Sequence, residues 1–198
     1  MSTLYVLDTN AYALLFQSPR PEAYANLENI LLKDGVMSFY IPEIVSMEIH
    51  SVLGKFRRSG NKAQNELCSR QVMDAENVIP CAHTCFIPAK PRIKPRVFKD
   101  MQKLLNDIER EHGSIRASLL PLGSNEMRAG REILSQLAHK FSFGSHDALV
   151  AGTVLTAKNN GLALTLVTSD KSLKAVCKDQ NIPHYDPSKP DTAQTPLP

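Results

Sequence analysis

Short apolar segments alternate with helical segments along the chain, and two of the apolar segments lead to an aspartate. Residues 4–7 (LYVL) are typical strand formers followed by Asp8, and residues 163–167 predict another strand followed by Thr-Ser-Asp170. The alternation of strands and helices predicts an α/β fold with a mostly parallel sheet. Because sites in such sheets lie outside the carboxyl ends of the strands, both aspartates are candidate site residues.

The periodicity of the remaining chain predicts one more strand, over residues 36–41. Helices are predicted over residues 11–16, 22–33, 42–58, 62–78, 98–112, 125–140, 146–158 and 171–178. Four prolines and alternating basic residues predict an irregular, exposed segment over 79–100.

The length of 198 residues suits a single domain, which we place at residues 1–186. We expect an inserted basic, proline-rich region around 79–124 within it. The proline-rich residues 187–198 predict a flexible tail.

No apolar run is long enough to span a bilayer, and the N-terminus lacks the basic start and apolar stretch of a secretory signal. We therefore expect a cytoplasmic protein with no membrane partner. The net charge of +3 permits a nucleic-acid partner without requiring one.

The cysteines raise the question of a metal site. Cys81, His83 and Cys85 lie in the stretch CAHTC, where three residues separate the two cysteines. Zinc sites usually add a second, distant pair of ligands, and no second cluster follows this one. The sequence therefore favours plain thiols in a loop over structural zinc, and leaves open whether this stretch binds metal.

Two further acids lie in helices. Glu48 is four residues after Ile44 and four before Val52, so the helical repeat points it towards the apolar side of its helix. Asp147 opens a helix that continues with small apolar residues over 148–152, as expected of a helix buried against a sheet.

Each of the four acids also has an ordinary structural explanation. Asp8 and Asp170 could cap the helices that follow them, Asp147 could complement a helix dipole, and Glu48 could form a salt bridge. Taken together, however, two acids end strands, one lies on a core-facing stripe and one opens a buried helix. This combination favours a shared site.

The four acids and their neighbours resemble the signature of the PIN domain, the nuclease fold of VapC-type toxins. Its four parts are matched in order by Asp8-Thr9-Asn10, Glu48, Asp147-Ala148 and Thr168-Ser169-Asp170. The resemblance covers about residues 4–57 and 125–186. It departs from a small toxin of this family in residues 60–124, which look enlarged.

The resemblance implies a PIN-like three-layer sandwich whose central sheet is flanked by helices. It implies a metal-dependent endoribonuclease, and we assign Asp8, Glu48, Asp147 and Asp170 to catalysis and metal binding. Asp8 and Asp147 are the implied direct ligands. An antitoxin partner and a homodimer are also implied.

The chemistry of the four acids agrees with a hard cation. Like charges gathered in one cleft repel one another, and oxygen-only ligands select Mg²⁺ or Mn²⁺ over zinc. Such a cation supports hydrolysis of a phosphodiester bond. Asn10 and Thr168 could orient the ligands or a phosphate, or could only make turns.

An extended basic segment is the candidate RNA-binding element. Prolines keep it extended, and its charges could follow a phosphate backbone, giving affinity without sequence readout. The candidate residues are Lys90, Arg92, Lys94 and Arg96.

Two other functions compete with the nuclease. One is a PIN-like module that binds RNA or protein without cleaving; four retained acids argue against it. The other is a haloacid-dehalogenase-type phosphatase, which needs a second Asp two residues after Asp8, where Asn10 stands instead.

Overall fold

The computed structural model describes residues 3–58, 60, 63–68, 70–74, 77–88 and 92–189. Its elements in chain order are β1 (Leu4–Leu7), α1 (Thr9–Leu14), α2 (Glu22–Leu31), β2 (Leu32–Lys33), β3 (Val36–Pro42), α3 (Glu43–Arg58), β4 (Gln64–Leu67), β5 (Gln71–Asp74), β6 (Asn77–Pro80), β7 (Thr84–Ile87), α4 (Pro95–Glu109), β8 (Ile115–Leu120), α5 (Ser124–Leu137), α6 (Ser145–Asn159), β9 (Leu164–Val167), α7 (Lys171–Asp179) and β10 (His184–Tyr185). The chain divides into two compact units: Met1–His50 with Gln102–Pro198, and Ser51–Met101.

The first unit is built on a sheet with the order β10-β9-β1-β3, and β3 also pairs with β8 and with the short β2. All of these pairings are parallel except that of β2 with β3. The structure confirms the predicted α/β fold with a largely parallel sheet. Because the strands are parallel, their carboxyl ends meet at one edge, and this edge carries the candidate site.

The register aligns the ends of three neighbouring strands. Leu7 pairs with Val167 of β9, and Val167 pairs in turn with Tyr185 of β10. The residues that follow each strand are therefore neighbours across the sheet, and the amide of Asp8 donates to the carbonyl of Val167 (3.1 Å). The amide of Thr168 donates to the carbonyl of Tyr185 (2.9 Å).

Helices α5 and α6 pack together through two glycines. The position of a Cβ on Gly152 would lie 2.5 Å from the backbone nitrogen of Gly130, far inside van der Waals contact. Helix α6 is buried along most of its length, as its small apolar residues predict: Ala148, Val150, Ala151, Gly152, Thr153, Val154 and Ala157 are all buried. This close packing fixes the direction in which α6 presents its first turn.

The second unit differs from the sequence prediction. The helix predicted over residues 62–78 is wrong: its described residues form β4 and β5 and begin β6. Strand β4 pairs with β7, and β5 with β6, in antiparallel ladders. The segment 79–100 is likewise less irregular than predicted, since it completes β6, contains β7 and begins α4 at Pro95. Hydrogen bonds to a partner strand distant in sequence outweigh local helix propensity here.

The structure adds strands β2, β8 and β10, which the periodicity did not indicate. Near the C-terminus, Pro187 is buried and its carbonyl accepts a hydrogen bond from the side-chain amide of Asn26 (2.9 Å). The rest of the predicted tail, 190–198, lies outside the described residues. Within the described part of the chain, no helix is long and apolar enough to cross a membrane.

Candidate functional site

Asp8 ends β1 and caps α1 in a buried position. Its Oδ1 accepts a hydrogen bond from the amide of Ala11 (2.7 Å), and 4% of the residue is exposed. The pKa of Asp8 is raised from 3.8 to about 6, mainly by burial. Hydrogen bonds from Thr168 and Ala11 lower it, and the charges of Asp170 and Asp147 contribute to the rise. Asp8 is therefore a buried carboxylate that lies within the electrostatic reach of two others.

Thr168 connects Asp8 to Asp170. Its buried hydroxyl accepts a hydrogen bond from the amide of Asp170 (3.0 Å) and hydrogen-bonds to the carboxylate of Asp8. The parallel register of β1 and β9 places these residues side by side. Thr168 thus contacts the carboxylate of Asp8 and the backbone of Asp170 at the carboxyl edge of the sheet.

Asp170 and Asp147 each lie at the start of a helix. Asp170 caps α7, where its Oδ1 accepts from the amide of Leu173 (2.7 Å). Asp147 lies in the first turn of α6, where its Oδ2 accepts from the amide of Gly144 (3.3 Å). Asp170 therefore has the capping role considered from the sequence, and Asp147 also bonds to the backbone at the start of its helix; each uses one oxygen in doing so.

The electrostatic surroundings of Asp147 identify its neighbours. Burial raises its pKa, and the hydrogen bond from Gly144 opposes this effect. The charges of Asp170 and Glu48 raise the pKa further, whereas His146 lowers it. Asp147 therefore lies in the field of two other acids of the set.

Glu48 on α3 is held by two residues that sequence reasoning did not assign to the site. Its Oε2 accepts a hydrogen bond from the hydroxyl of Thr9 and lies 2.8 Å from Nε2 of His146. This nitrogen makes no hydrogen bond of acceptable geometry in the described residues, so the contact is an ion pair only when the imidazole is protonated. Thr9 and His146 adjoin Asp8 and Asp147 in sequence, and that adjacency was the available signal.

These interactions bring the four predicted acids into one neighbourhood. Asp8 is affected by Asp170 and Asp147, and Asp147 by Asp170 and Glu48. As the side chains stand in the described residues, however, no three His, Cys, Asp or Glu groups surround one point closely enough to hold a metal ion. The four acids influence one another electrostatically, and each also accepts a hydrogen bond from a protein donor.

The donor set fits a hard divalent cation. All four acids offer oxygen, which Mg²⁺ and Mn²⁺ prefer. Within the described part of the chain, the second oxygens of Asp147 and Asp170 receive no hydrogen bond, so they are available to a ligand. A cation would also relieve the repulsion that contributes to the raised pKa values of Asp8 and Asp147.

The remaining predicted site residues are exposed where the structure describes them. Asn10 is exposed on α1, and no hydrogen bond of its side chain is found among the described residues. Lys90 lies outside the described residues. Arg92, Lys94 and Arg96 are exposed and belong to the second unit, at and before the start of α4.

A fifth carboxylate, Asp186, follows β10 and was not predicted. Its Oδ1 accepts from the hydroxyl of Ser169 (2.8 Å) and the amide of Ser188 (3.0 Å), and its Oδ2 pairs with Lys174. Burial opposes the ionised form, but the hydrogen bonds from Lys174, Ser169 and Ser188 outweigh it and lower the pKa of Asp186. The carboxylate of Asp186 therefore has protein partners for both of its oxygens and has a structural role.

Lysines line an open pocket of about 400 Å³ beside α7. Lys171 and Lys178 are exposed on this helix. The residues that line the pocket are Lys171, Lys174, Ala175, Lys178, His184, Asp186 and Lys189. The pocket is basic on balance, and Lys171 directly follows Asp170 of the acid set.

Solved structures share this fold. The crystal structure of FitAcB from Neisseria gonorrhoeae aligns with a TM-score of 0.56 at 15% sequence identity, over 93% of this chain and 99% of that chain. A structure of FitAB bound to an IR36 DNA fragment aligns with a TM-score of 0.55 at 14% identity, over 93% and 95%. No protein-family model and no curated protein sequence matches the chain. The likeness confirms the PIN-like α/β fold that the sequence predicted.

Proposed function

We propose that this protein is a Mg²⁺- or Mn²⁺-dependent endoribonuclease that hydrolyses RNA phosphodiester bonds. The observation that carries the proposal is the gathering of four acids at the carboxyl edge of a parallel sheet in a PIN-like fold. Two of them, Asp8 and Asp147, have pKa values raised by burial and by the charges of the other acids. Uncompensated carboxylates are unfavourable together, so their retention in one place suggests a cation.

Asp8, Glu48, Asp147 and Asp170 would hold the cation. When bound, such an ion activates water and stabilises the charge that develops on the phosphate. Thr168 would orient the carboxylate of Asp8 through one hydrogen bond and fix the backbone of Asp170 by accepting from its amide. The carboxylate of Glu48, on α3, is held by its contacts with Thr9 and His146, which set its direction.

Two groups of basic residues support RNA as the substrate. The lysine pocket beside α7 lies next in sequence to Asp170, where it would attract the phosphates of a bound strand. The exposed Arg92, Lys94 and Arg96, together with Lys90, would add affinity in proportion to the phosphates they neutralise. Neither group reads bases, so the proposal is for binding through the backbone.

The resemblance to VapC-type toxins extends the proposal to a toxin–antitoxin module. The partner would be a small antitoxin that covers the acid site, and the chain would form a homodimer. The fold shared with FitAcB and with FitAB on DNA supports this assignment. A cytoplasmic location belongs to the same proposal.

Cleavage of a labelled single-stranded RNA tests the activity. The wild type should cut it with Mg²⁺ or Mn²⁺ and should stop when EDTA removes the ion. Asp8→Asn and Asp147→Asn should each lower the rate at least about 100-fold, because each removes a charged ligand while its shape is kept. Asp179→Asn, an exposed aspartate of α7 that contacts Gln180, is the matched control and should cut at the wild-type rate.

A non-catalytic PIN-like binding module is the second candidate. It is favoured by the helix-capping bonds of Asp8, Asp147 and Asp170, which give these acids a purely structural role. RNA binding without cleavage in either metal would support this candidate and reject the nuclease. Cleavage that survives EDTA, or that is unchanged in Asp8→Asn, would reject the metal site.

The salt dependence of RNA binding tests the basic segment. Neutralising Lys90, Arg92, Lys94 and Arg96 together in the Asp8→Asn background should weaken RNA binding. The slope of log K against log salt should fall by about 0.7 for each phosphate that the segment no longer neutralises. The control variant neutralises the exposed Lys33 and Lys140. Equal slopes in the two variants would exclude the segment as an RNA-binding element.

A further inference from the structure

Four residues with zinc-ligand chemistry gather in the second unit. Strands β4 and β7 pair antiparallel, with Glu66 opposite Cys85, and the amide of Cys68 continues this pairing by donating to the carbonyl of His83 (2.8 Å). The amide of Cys81 donates to the carbonyl of Arg70 (2.8 Å) next to the β5–β6 ladder. Cys68 is thereby brought beside the stretch CAHTC, from which it is 13 residues distant at Cys81.

The side chains of these residues are in contact. Sγ of Cys81 lies 3.4 Å from Nδ1 of His83. The thiol of Cys68 hydrogen-bonds to those of both Cys81 and Cys85, so the three sulfur atoms and one imidazole form a connected cluster. All three cysteines are free thiols.

The contacts have the size that tetrahedral zinc requires. Zinc–sulfur bonds of about 2.3 Å place two sulfur ligands about 3.8 Å apart, and a sulfur and a nitrogen ligand about 3.6 Å apart. The contact between Cys81 and His83 is close to this separation. In the described residues the four groups do not yet surround one point at bonding distance, so coordination requires rotation of their side chains.

The main chain already holds the four proposed ligands near one another. The pairing of β4 with β7 and the amide bonds of Cys68 and Cys81 already fix the positions of the main chain.

Among the residues of the second unit whose burial the structure describes, no apolar core holds the strands together. Of the residues from 51 to 101 whose burial the structure describes, Leu53 is the sole buried one. Large apolar side chains of the hairpins lie in solvent, including Leu67 at 78%, Met73 at 77% and Phe86 at 67% exposure. Small units of this kind commonly depend on a metal for a unique fold.

We propose that Cys68, Cys81, His83 and Cys85 bind one structural zinc ion where the β4–β7 and β5–β6 ladders of the second unit meet. The ligand set is Cys₃His, which zinc takes in closed structural sites. The sequence argued against zinc because it shows no second cluster of ligands. Cys68 is the additional ligand, and the β4–β7 pairing brings it near the CAHTC stretch. This site is independent of the proposed nuclease activity.

Metal analysis of the full chain tests the site. Protein purified under reducing conditions should contain about one zinc per chain after dialysis. Co²⁺ added to chelator-treated protein should give the visible absorption of a tetrahedral thiolate site and should be displaced by Zn²⁺. Cys68→Ser and His83→Ala should each lose the zinc and change or abolish the Co²⁺ spectrum.

The chain offers matched controls. Cys177→Ala removes a buried cysteine of the first unit, and His112→Ala removes an exposed histidine outside the cluster. Both should retain zinc and the wild-type spectrum. Cys85→His replaces one ligand type by another, so it should keep zinc and shift the Co²⁺ bands, which a merely misfolded variant would not do.

The opposite results are equally distinct. Zinc-free protein that gives no thiolate spectrum with Co²⁺ would overturn the proposal. The same holds if Cys68→Ser and His83→Ala bind zinc as the controls do. A disulfide among Cys68, Cys81 and Cys85 in protein kept under reducing conditions would also overturn it, because it would show that the cluster is a redox pair.

Discussion

Replacing Asp8 by Asn should change how the stability of the protein depends on pH. Burial raises the pKa of Asp8 from 3.8 to about 6, so the folded protein holds this proton more tightly than the unfolded chain does. At about 1.4 kcal/mol per tenfold change, the difference corresponds to about 3 kcal/mol. This destabilisation is absent well below pH 4, where the carboxyl is protonated in both states, and is complete well above pH 6.

The Asn variant lacks this titration. Its side-chain oxygen can still accept from the amide of Ala11, but its NH₂ group cannot accept the hydrogen bond that Thr168 gives to the carboxylate. The absence of that bond lowers stability by about 1 kcal/mol at every pH. Asp8→Asn should therefore be slightly less stable than the wild type near pH 4 and more stable by about 2 kcal/mol near pH 8.

Urea unfolding in EDTA between pH 4 and pH 8 measures both proteins without a bound cation. The difference between their free energies of unfolding should change by about 2–3 kcal/mol across this range. Asp179→Asn, which removes an exposed carboxylate, should follow the wild type. If the stability of Asp8→Asn runs parallel to that of the wild type, folding does not raise the pKa of Asp8 and the electrostatic reasoning fails.

Two further predictions concern the scaffold. Gly152→Ala should lower stability by about 3 kcal/mol in thermal melts, because its Cβ would clash with the backbone of α5. The control, Gly54→Ala in α3, faces only the flexible end of Arg58 and should raise stability by up to about 1 kcal/mol. Lys174→Met should lower stability by about 2 kcal/mol at pH 7 by leaving Asp186 unpaired, whereas Lys178→Met should have little effect. Because the folded pKa of Asp186 is lowered, the stabilisation from its pairing is present above pH 4 and lost as the pH falls, so the effect of Lys174→Met should shrink in acid. Equal sensitivity of both lysine variants at all pH values would contradict this pairing.

The acid edge of the sheet could be anticipated because its signals are local. The apolar run of β1 and that of β9 each end shortly before an aspartate, and helices follow both strands. The small residues after Asp147 predicted a buried helix, and α6 is buried. Local periodicity is sufficient when burial and secondary structure agree.

Local sequence patterns could not predict the contacts between segments that are distant in sequence. Thr9 bonds to Glu48 across 39 residues of sequence, and His146 reaches the same carboxylate from α6. In the second unit the partner of β4 is β7, so residues with ordinary helix propensity form a hairpin instead. Cys68 joins the CAHTC stretch through the same pairing, which no spacing of cysteines had suggested.

Binding of Mn²⁺ to the full chain, measured by titration calorimetry near pH 7.5, tests the central claim most directly. We predict that the wild type binds Mn²⁺ and that the carboxamide variants of Asp8, Glu48, Asp147 and Asp170 each weaken binding at least about tenfold, while Asp179→Asn does not. The contradicting result is an absence of Mn²⁺ binding at millimolar concentration, or binding of equal strength in all five variants.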